Sequence, residues 1–331
     1  MTLRHLRAPA LGRFLLLSIG FGLLIQGTAR ADEESVSLPP VFTKTLPEGP
    51  GDLRAIQAHV KTLLKKTMPA TVGLIIGGAQ GSGVIVTKDG KVLTAGHVSG
   101  LADRKVQIIM PDGRKLTGKT LSNNPTIDSG MVQITEKADY PFCEMGHSAD
   151  LKEGDWCIGI GHPGGWQKGR DPVLRLGRVQ ELKLKIPQAF IGTDCVLVGG
   201  DSGGPLFDMH GRVIGIHSRI GQNIAQNMHV PVDTYREQWD RLVLGQGYMG
   251  ITPDENAVEC RIGYITDGSP AAKAGLRVGD VIRKLNYKRI GTQDDLYRAM
   301  DTKAPGMEIK LEVQRGEENF EFTLNLVKRP N

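Results

Sequence analysis

The chain has 331 residues, and its 41 Lys and Arg against 36 Asp and Glu give a formal net charge of +5. Four of the arginines lie in the first 31 residues, which contain no acidic residue, so the rest of the chain carries only +1. That remainder has no basic patch interleaved with aromatic residues, so the sequence gives no support for nucleic-acid binding. Its length of about 300 residues exceeds one ordinary hydrophobic core and predicts two or more domains.

The first 31 residues resemble an export leader. Three arginines precede an uncharged apolar run over residues 14–25, and Ala29-Arg30-Ala31 follows. A basic region, an apolar core and a small-x-small site are typical of a secretory signal peptide. The run is shorter than the roughly 18 apolar residues of a membrane-spanning helix. We therefore expect cleavage after Ala31 and a periplasmic or extracellular protein, the alternative being an uncleaved leader that anchors the chain in a membrane.

A linker and a helix come next. Residues 32–51 are polar and contain four prolines, a composition typical of a linker. Apolar residues then recur at helical spacing from Leu53 to Leu64. This pattern predicts a helix that is capped at Asp52 and stops before Pro69.

Short strands dominate from Thr71 onward. Apolar runs alternate with turns rich in Gly, Asp and Pro, which is typical of barrels or a sandwich. The expected strands cover residues 71–76, 83–87, 106–110, 131–134, 156–161 and 212–218. A helix over residues 236–244 is expected to close this domain.

The most informative segment is Gly199-Gly200-Asp201-Ser202-Gly203-Gly204-Pro205-Leu206, which places one hydroxyl among glycines. Backbone N–H groups reach a developing oxyanion only where the chain passes it closely, and side chains would block that approach. We therefore predict Ser202 as a nucleophile, with the amides of Gly200 and Ser202 as its oxyanion hole. The alternative is a plain glycine-rich turn before a strand.

A nucleophilic serine needs a histidine base and a carboxylate that orients the histidine. His97 follows an apolar strand and small residues in Val92-Leu93-Thr94-Ala95-Gly96-His97, so its ring is free to reach a serine. Asp128 stands just before the apolar run Met131 to Ile134 and is the predicted carboxylate. Asp139 and Asp112 are the alternatives, although neither leads straight into an apolar strand.

These motifs resemble a known family. Thr94-Ala95-Gly96-His97 and Gly200-Asp201-Ser202-Gly203-Gly204-Pro205 are similar to the two signatures of chymotrypsin-fold serine proteases, and residues 154–163 and 208–218 point to the bacterial HtrA/Deg branch. The resemblance implies two six-stranded barrels with the His97, Asp128 and Ser202 triad in the cleft between them. It also implies that Ser218 hydrogen-bonds the catalytic aspartate, that the protein assembles as a homo-oligomer of three or more subunits, and that it acts in protein quality control.

One residue departs from that branch beside the nucleophile. Asp201 stands where the HtrA branch usually carries asparagine. A buried aspartate needs a hydrogen-bonding or cationic partner, and the sequence does not name that partner.

A second module is expected after Gly245. Tyr248-Met249-Gly250-Ile251 resembles the carboxylate-binding loop of a PDZ domain, and residues 268–282 resemble the middle of the bacterial, permuted form. A peptide could add as a strand beside Ile251 while the N–H groups around Gly250 receive its terminal carboxylate. A helix over residues 294–300 would form the other wall of the groove. For the loop taken by itself, a plain β-turn is the alternative.

The substrate pocket is predicted from the residues just before the nucleophile. Val196, Leu197 and Val198 carry no charge, and together with Ser218 they would form a pocket that selects apolar side chains by burial. The alternative is that the three apolar side chains pack into the barrel core.

The four cysteines and the histidines do not indicate a cofactor. Cys143, Cys157, Cys195 and Cys260 show no CxxC spacing, and the sequence has no HxxxH, so no metal site or cofactor is expected. Export makes disulfides possible, but spacing alone does not assign a pair. His162 is expected in a turn.

These observations predict a mostly β protein, a chymotrypsin-like double barrel followed by a small α+β PDZ domain. The expected divisions are a signal peptide (1–31), a linker (32–51), a trypsin-like protease domain (52–245) and a PDZ domain (246–331). The predicted function is a serine endopeptidase that cleaves exposed protein or peptide segments after apolar residues and captures peptide C-termini. The alternative is a catalytically silent, peptide-binding or chaperone-like protein on the same fold.

Overall fold

The structure is a computed structural model that describes residues 37–185, 189–221 and 226–330. The expected signal peptide and its cleavage site after Ala31 lie outside the described residues. Among the helices that the structure describes, none is both long enough and apolar enough to cross a membrane.

Part of the expected linker is packed against the domain that follows it. Pro40–Thr43 form a 3-10 turn in which Val41 is buried. The ring of Phe42 lies 4.9 Å from that of His59 and meets Trp156 edge-on at 5.9 Å. Apolar contacts therefore hold this stretch against the domain. The polar composition of residues 32–51 did not predict them.

Helix α1 spans Pro50–Thr67, so it begins two residues before the predicted cap at Asp52. Asp52 lies in the first turn instead, where its Oδ2 accepts hydrogen bonds from the Glu48 N–H and from Lys44 Nζ, each at 2.8 Å. A carboxylate in the first turn stabilises the positive end of the helix dipole. The helix ends at Thr67, before Pro69, as predicted.

The next six strands close into an antiparallel barrel. Strands β1 to β6 are Thr71–Ile76, Ala79–Ile85, Lys91–Ala95, Lys105–Ile109, Lys115–Asn124 and Ser129–Ile134. Their order around the barrel is β1-β2-β3-β6-β5-β4. Ala95 at the end of β3 is paired with Ser129 at the start of β6. A short helical turn, α2 (Gly96–Ser99), follows β3 directly, so this register places α2 beside the residues that precede β6.

Six further strands form a second closed barrel. Strands β7 to β12 are Trp156–Gly161, Val173–Lys183, Phe190–Thr193, Pro205–Phe207, Val213–Ile220 and Asn227–Pro231. Their order is β10-β11-β12-β9-β8-β7. The loop between β9 and β10 contains Ser202, which lies immediately before the glycines that lead into β10.

Two short helices replace the single helix that was predicted over residues 236–244. Helix α3 spans Val232–Glu237 and helix α4 spans Trp239–Leu244. The break falls at Gln238, whose backbone leaves the helical region at φ −111° and ψ 14°. Gln238 is buried, and its Oε1 accepts a hydrogen bond of 2.8 Å from Asn124 Nδ2. A tertiary contact therefore fixes the residue at which the helix is interrupted.

The C-terminal part is built from short sheets and two helices. Strands β13 to β20 are Gly247–Tyr248, Ile251–Pro253, Ile262–Ile265, Val281–Leu285, Lys288–Arg289, Glu308–Arg315, Glu318–Asn325 and Val327–Lys328. Helix α5 spans Pro270–Ala274, and helix α6 spans Gln293–Met300, close to the predicted 294–300. Helix α6 begins with a capping box between Thr292 and Asp295, which satisfies two N–H groups at its start.

Apolar side chains explain this division of the chain. One core cluster joins residues of both barrels with Leu63 of α1 and Tyr235 of α3, and a separate cluster fills the C-terminal part around Leu296 and Leu311. Burial of this kind is the main favourable contribution to folding. The predicted fold class, a mostly β chymotrypsin-like double barrel followed by a small α+β PDZ domain, is confirmed.

Candidate functional site

His97 and Asp128 are in direct contact. His97 lies in α2, and Asp128 is the residue before β6. His97 Nδ1 is 3.0 Å from both carboxylate oxygens of Asp128, and the His97 backbone N–H donates to Asp128 Oδ1 at 2.8 Å. Asp128 has a φ of +58°, which is uncommon for a residue with a side chain. The carboxylate thus holds both the ring and the backbone of the histidine.

Electrostatics favour a charged Asp128. Burial by itself would raise the pKa of the Asp128 carboxyl, but hydrogen bonds from His97 and Ser218 outweigh it and lower that pKa below its usual value. Ser218 Oγ donates to Asp128 Oδ2 at 2.5 Å. The hydrogen bond with Asp128 raises the pKa of His97 above its usual value, against the opposing effect of burial. A carboxylate that stabilises imidazolium in this way makes the histidine a stronger base.

Ser202 lies on the other barrel and is not bonded to His97. Its Oγ donates to the backbone oxygen of Ser218 at 3.4 Å, and no hydrogen bond among the described residues joins that hydroxyl to His97. Contacts of this kind are often long or misaligned before a substrate binds.

The loop that carries Ser202 depends on its glycines. Gly200 has a φ of +94°, and a Cβ there would lie 2.3 Å from the Gly165 nitrogen and 2.5 Å from the His162 oxygen. Gly203 has a φ of +87°, and a Cβ there would lie 2.1 Å from Thr94 Oγ1. Within the described part of the chain, neither the Gly200 nor the Ser202 amide donates a hydrogen bond. Both N–H groups are therefore available to an oxyanion.

The structure identifies a partner for Asp201. Its side chain is fully buried, and it forms a two-point ion pair with Arg175 of β8: Nη1 is 3.0 Å from Oδ1 and Nη2 is 2.9 Å from Oδ2. Sequence reasoning missed Arg175, because nothing in its local sequence distinguishes it from the other basic residues of β8.

Ser82 of β2 was also missed. Its Oγ donates to the Gly200 oxygen at 2.9 Å, and its N–H donates to the Ser202 oxygen at 2.8 Å. The His162 N–H donates to Ser82 Oγ at 3.0 Å. Ser82 therefore connects the first barrel to the serine loop of the second. The available signal was its position in Gly81-Ser82-Gly83, where small residues allow a close backbone approach.

The four predicted pocket residues differ in exposure and in whether they line a cavity. Leu197 is buried, whereas Val196 and Val198 are each 42% exposed. A cavity of about 250 Å³ beside Asp128 is lined in part by Phe190, Ser218, Arg219 and Met228. Of the predicted pocket residues, only Ser218 lines this cavity. The inward position of Leu197 corresponds to the alternative in which this side chain packs into the protein.

The two alternative carboxylates lie elsewhere and have other partners. Asp112 is paired with Arg114, the two groups being 2.6 Å apart. Asp139 is 77% exposed and pairs with Lys88 at 2.9 Å. Of the three aspartates, only Asp128 contacts His97.

The predicted peptide-binding loop, Tyr248 to Ile251, leads into β14. Tyr248 OH hydrogen-bonds Thr266 Oγ1 at 2.7 Å, Met249 is buried, and Ile251 is paired with Ile265 of β15. In the described residues, neither the Met249 nor the Gly250 amide donates a hydrogen bond. The amides are thus available to a ligand.

Gly250 is constrained by packing within the domain. It has a φ of +87°, and a Cβ there would lie 2.1 Å from Ser269 Cβ. This glycine is therefore needed for close contact with Ser269, whether or not a ligand binds.

Three further histidines, His162, His217 and His229, and all four cysteines are buried. His162 is buried and lies just before a turn, and burial lowers its pKa to about 4. His217 Nδ1 lies 2.9 Å from His229 Nδ1, and burial keeps both pKa values low. Cys157 Sγ lies 3.9 Å from Cys195 Sγ. Among the described residues, no three His, Cys, Asp or Glu side chains are arranged to hold a metal ion.

Comparisons with known proteins cover both parts of the chain. Residues 81–216 match the trypsin-like peptidase domain family, and residues 247–326 match the PDZ domain family. A probable periplasmic serine endoprotease, DegP-like, from Hahella chejuensis is 30% identical over 76% of this chain and 57% of its own length. A relative with the same description from Pseudomonas fluorescens is 32% identical over 75% of this chain and 56% of its own length. The chain spans a little over half the length of these curated relatives.

A solved structure gives the same fold. The HtrA-type protease AlgW with a decapeptide matches 82% of this chain and 99% of its own chain, with a TM-score of 0.55 and 23% identity. At this level of identity the similarity bears on the fold alone.

Proposed function

We propose that this chain, a member of the HtrA/DegP-like family with a trypsin-like peptidase domain and a C-terminal PDZ domain, is an exported serine endopeptidase. The proposal depends chiefly on the contact between His97 and Asp128. It is supported by Ser202, which lies among glycines of positive φ and whose amide, like that of Gly200, donates no hydrogen bond within the described residues. An exported, periplasmic location is proposed from the descriptions of the relatives, which are named periplasmic.

In the proposed reaction, Ser202 Oγ attacks the carbonyl carbon of the scissile peptide bond while His97 Nε2 takes the hydroxyl proton. The negative charge that develops on the carbonyl oxygen is stabilised by the Gly200 and Ser202 amides. His97 then gives the proton to the leaving amine, and water hydrolyses the acyl-enzyme by the same route. Asp128 holds the imidazole in the required tautomer and stabilises its charged form.

The finer parts of the proposal concern substrates. We propose cleavage after apolar residues, because Val196 and Val198 are uncharged and partly exposed near the serine loop. The available Met249 and Gly250 amides support capture of a peptide carboxylate at the PDZ domain. The solved relative AlgW was determined with a decapeptide, which agrees with a peptide ligand. We also propose that the protein acts in protein quality control and that it assembles as a trimer or larger oligomer.

A serine-directed peptidyl phosphonate with valine at its reactive end tests the activity. The parent chain should be labelled at Ser202 and should degrade unfolded casein, whereas Ser202→Ala should remain folded and do neither. Because members of a triad act as a unit, adding His97→Ala to Ser202→Ala should cause little further loss. A folded parent chain that is neither labelled nor active would instead support the catalytically silent, peptide-binding alternative.

A further inference from the structure

Asp201 stands between the two residues whose amides form the proposed oxyanion hole, Gly200 and Ser202. Its backbone helps to close the loop, since its N–H donates to the Val198 oxygen at 3.1 Å and its oxygen accepts from the Gly204 N–H at 2.8 Å. Its carboxylate Oδ2 also accepts from the Val198 N–H at 2.9 Å. The orientation of both oxyanion amides therefore depends on where the Asp201 carboxylate is held.

We propose that Arg175 is a positioning residue for the oxyanion hole: by holding the Asp201 carboxylate at two points, it fixes the peptide planes of Gly200 and Ser202. This inference rests on the proposed protease activity. Arg175 does not touch the substrate in this account, and its effect on the reaction is exerted through Asp201.

The geometry favours arginine over any other cation at this position. Two parallel contacts of 3.0 and 2.9 Å use the planar fork of the guanidinium, which matches a carboxylate in a way that a lysine ammonium does not. The backbone of Arg175 is fixed in β8 opposite Gly159 of β7. Gly161 leaves room for the carboxylate, because a Cβ there would lie 2.5 Å from Asp201 Oδ1.

Other charged and titratable groups nearby do not take over this role. Burial raises the pKa of the Asp201 carboxyl, against the opposing charges of Arg175 and Arg170. The Nη2 of Arg170, however, donates to the backbone oxygens of Pro163 and Gly165. His217 is kept neutral chiefly by burial, which lowers its pKa, and the proximity of His229 and of the Arg175 guanidinium lowers that pKa further. Among the described residues, Arg175 is the one cation that is hydrogen-bonded to the Asp201 carboxylate.

The same contacts explain how this chain carries aspartate where the HtrA branch usually has asparagine. Removing one member of a buried ion pair leaves an uncompensated charge and is strongly destabilising, whereas replacing both members by uncharged residues of similar volume avoids that charge. We therefore expect the two positions to be coupled. Removal of either charge alone should disturb the loop, and removal of both should restore it.

The experiment compares the full chain with Arg175→Gln, Asp201→Asn and the double variant, using the peptidyl phosphonate. The inactivation constant KI reports binding, and the rate constant kinact reports the attack by Ser202. Arg175→Gln should lower kinact by about 100-fold, a typical loss when an oxyanion donor is removed, with KI changed by less than about threefold. The double variant should recover kinact to within about tenfold of the parent, since the effects of residues in contact are not additive.

A matched control lies on the same strand. Arg178 of β8 donates to the backbone oxygen of Gly154 and stacks on Trp156, and within the described residues its side chain forms no hydrogen bond with the serine loop. Arg178→Gln removes the same charge and should leave kinact within about twofold of the parent, although its melting temperature should fall because these contacts are lost.

Four outcomes would overturn the inference. A folded Arg175→Gln variant with parental kinact would show that the oxyanion hole does not depend on the ion pair. A double variant no faster than either single variant would remove the coupling. If Arg175→Gln does not fold, the kinact of Asp201→Asn is compared with that of the double variant. A double variant with no higher kinact than Asp201→Asn would then overturn the inference. A parent chain that is folded but not labelled refutes the proposed function itself, and the inference with it.

Discussion

Ser218 donates its hydroxyl hydrogen to Asp128 Oδ2 at 2.5 Å, while its backbone oxygen accepts the hydroxyl hydrogen of Ser202 at 3.4 Å. One residue of the second barrel thus contacts both the carboxylate of the first barrel and the serine of its own. The sequence resemblance implied the first of these contacts, and the structure contains both.

The hydroxyl of Ser218 should contribute to turnover. In Ser218→Ala, Asp128 loses one of the hydrogen bonds that keep its pKa low, so it should hold the charged imidazole less well. A hydrogen bond to a charged group contributes about 1.5–3 kcal/mol, and we expect kcat/KM for peptide hydrolysis to fall by about tenfold or more. Ser148→Ala is the matched control, because Ser148 Oγ also donates to an aspartate, Asp233, at 2.9 Å. Equal losses in the two variants would contradict the prediction.

The pH dependence should reveal the interaction of His97 with Asp128. His97 is active as a neutral base, and its pKa is raised chiefly by the hydrogen bond with Asp128. Activity should therefore be lost as the pH falls through a value above the usual histidine pKa of about 6.5. In Asp128→Asn this cause is removed, so the remaining activity should persist to lower pH while turnover falls by up to about 10⁴-fold. Rate profiles from pH 5 to 9 measure both effects.

Asp139→Asn is the control for that experiment. Asp139 is exposed and, among the described residues, pairs only with the exposed Lys88, so this variant should retain the parental rate and pH profile. An inactive Asp139→Asn variant beside an active Asp128→Asn variant would show that the wrong carboxylate had been assigned.

The PDZ domain should distinguish a free carboxylate from an amide. With the full chain carrying Ser202→Ala to prevent cleavage, we expect peptides with an apolar, free C-terminus to bind more tightly than their amidated forms. The difference should be at least about 1 kcal/mol, because the Met249 and Gly250 amides gain charge-assisted hydrogen bonds only with the carboxylate. Calorimetric titration of matched peptides measures it. Equal affinities would show that the loop from Tyr248 to Ile251 is a plain turn that does not bind a peptide carboxylate.

Gly250 should matter for stability in addition to binding. Gly250→Ala and Gly268→Ala both place a side chain at positive φ, +87° and +70° respectively, but only the first meets another atom, Ser269 Cβ at 2.1 Å. Overpacking of this kind costs about 1–3 kcal/mol. Urea unfolding should therefore show a larger loss for Gly250→Ala by about that amount. Equal losses would mean that the backbone strain alone is responsible.

The four thiols should be protected in the folded chain. Cys143, Cys157, Cys195 and Cys260 are all buried, and burial raises the pKa of Cys143 to about 12 and that of Cys260 to about 11. A thiol-reactive dye should therefore react slowly with the native protein and with four thiols after unfolding. The sulfur atoms of Cys157 and Cys195 lie 3.9 Å apart, well beyond the roughly 2.05 Å of a disulfide. Only two reactive thiols after unfolding would indicate that this pair is bonded.

The sequence by itself determined the features that depend on neighbouring residues. Strands β1 and β7 have the predicted bounds, because alternation and flanking turns are local signals. The serine loop was recognisable since Gly200 and Gly203 must adopt a positive φ in a crowded place, and only glycine does so without strain. His97 was placed by the same kind of local pattern, an apolar strand followed by small residues.

Only the tertiary structure decided the features that join distant parts of the chain. Three aspartates were open as partners of His97, and the pairing of β3 with β6 brings Asp128 alone to it. Arg175 and Asp201 meet because β8 passes the serine loop, 26 residues away in sequence. Contacts of this kind depend on strand register and on burial. Because Asp201 is buried, its charge requires a partner, and strand register supplies Arg175, a residue type usually found at the surface. For that reason the partner of Asp201 could be identified only from the tertiary structure of the second barrel.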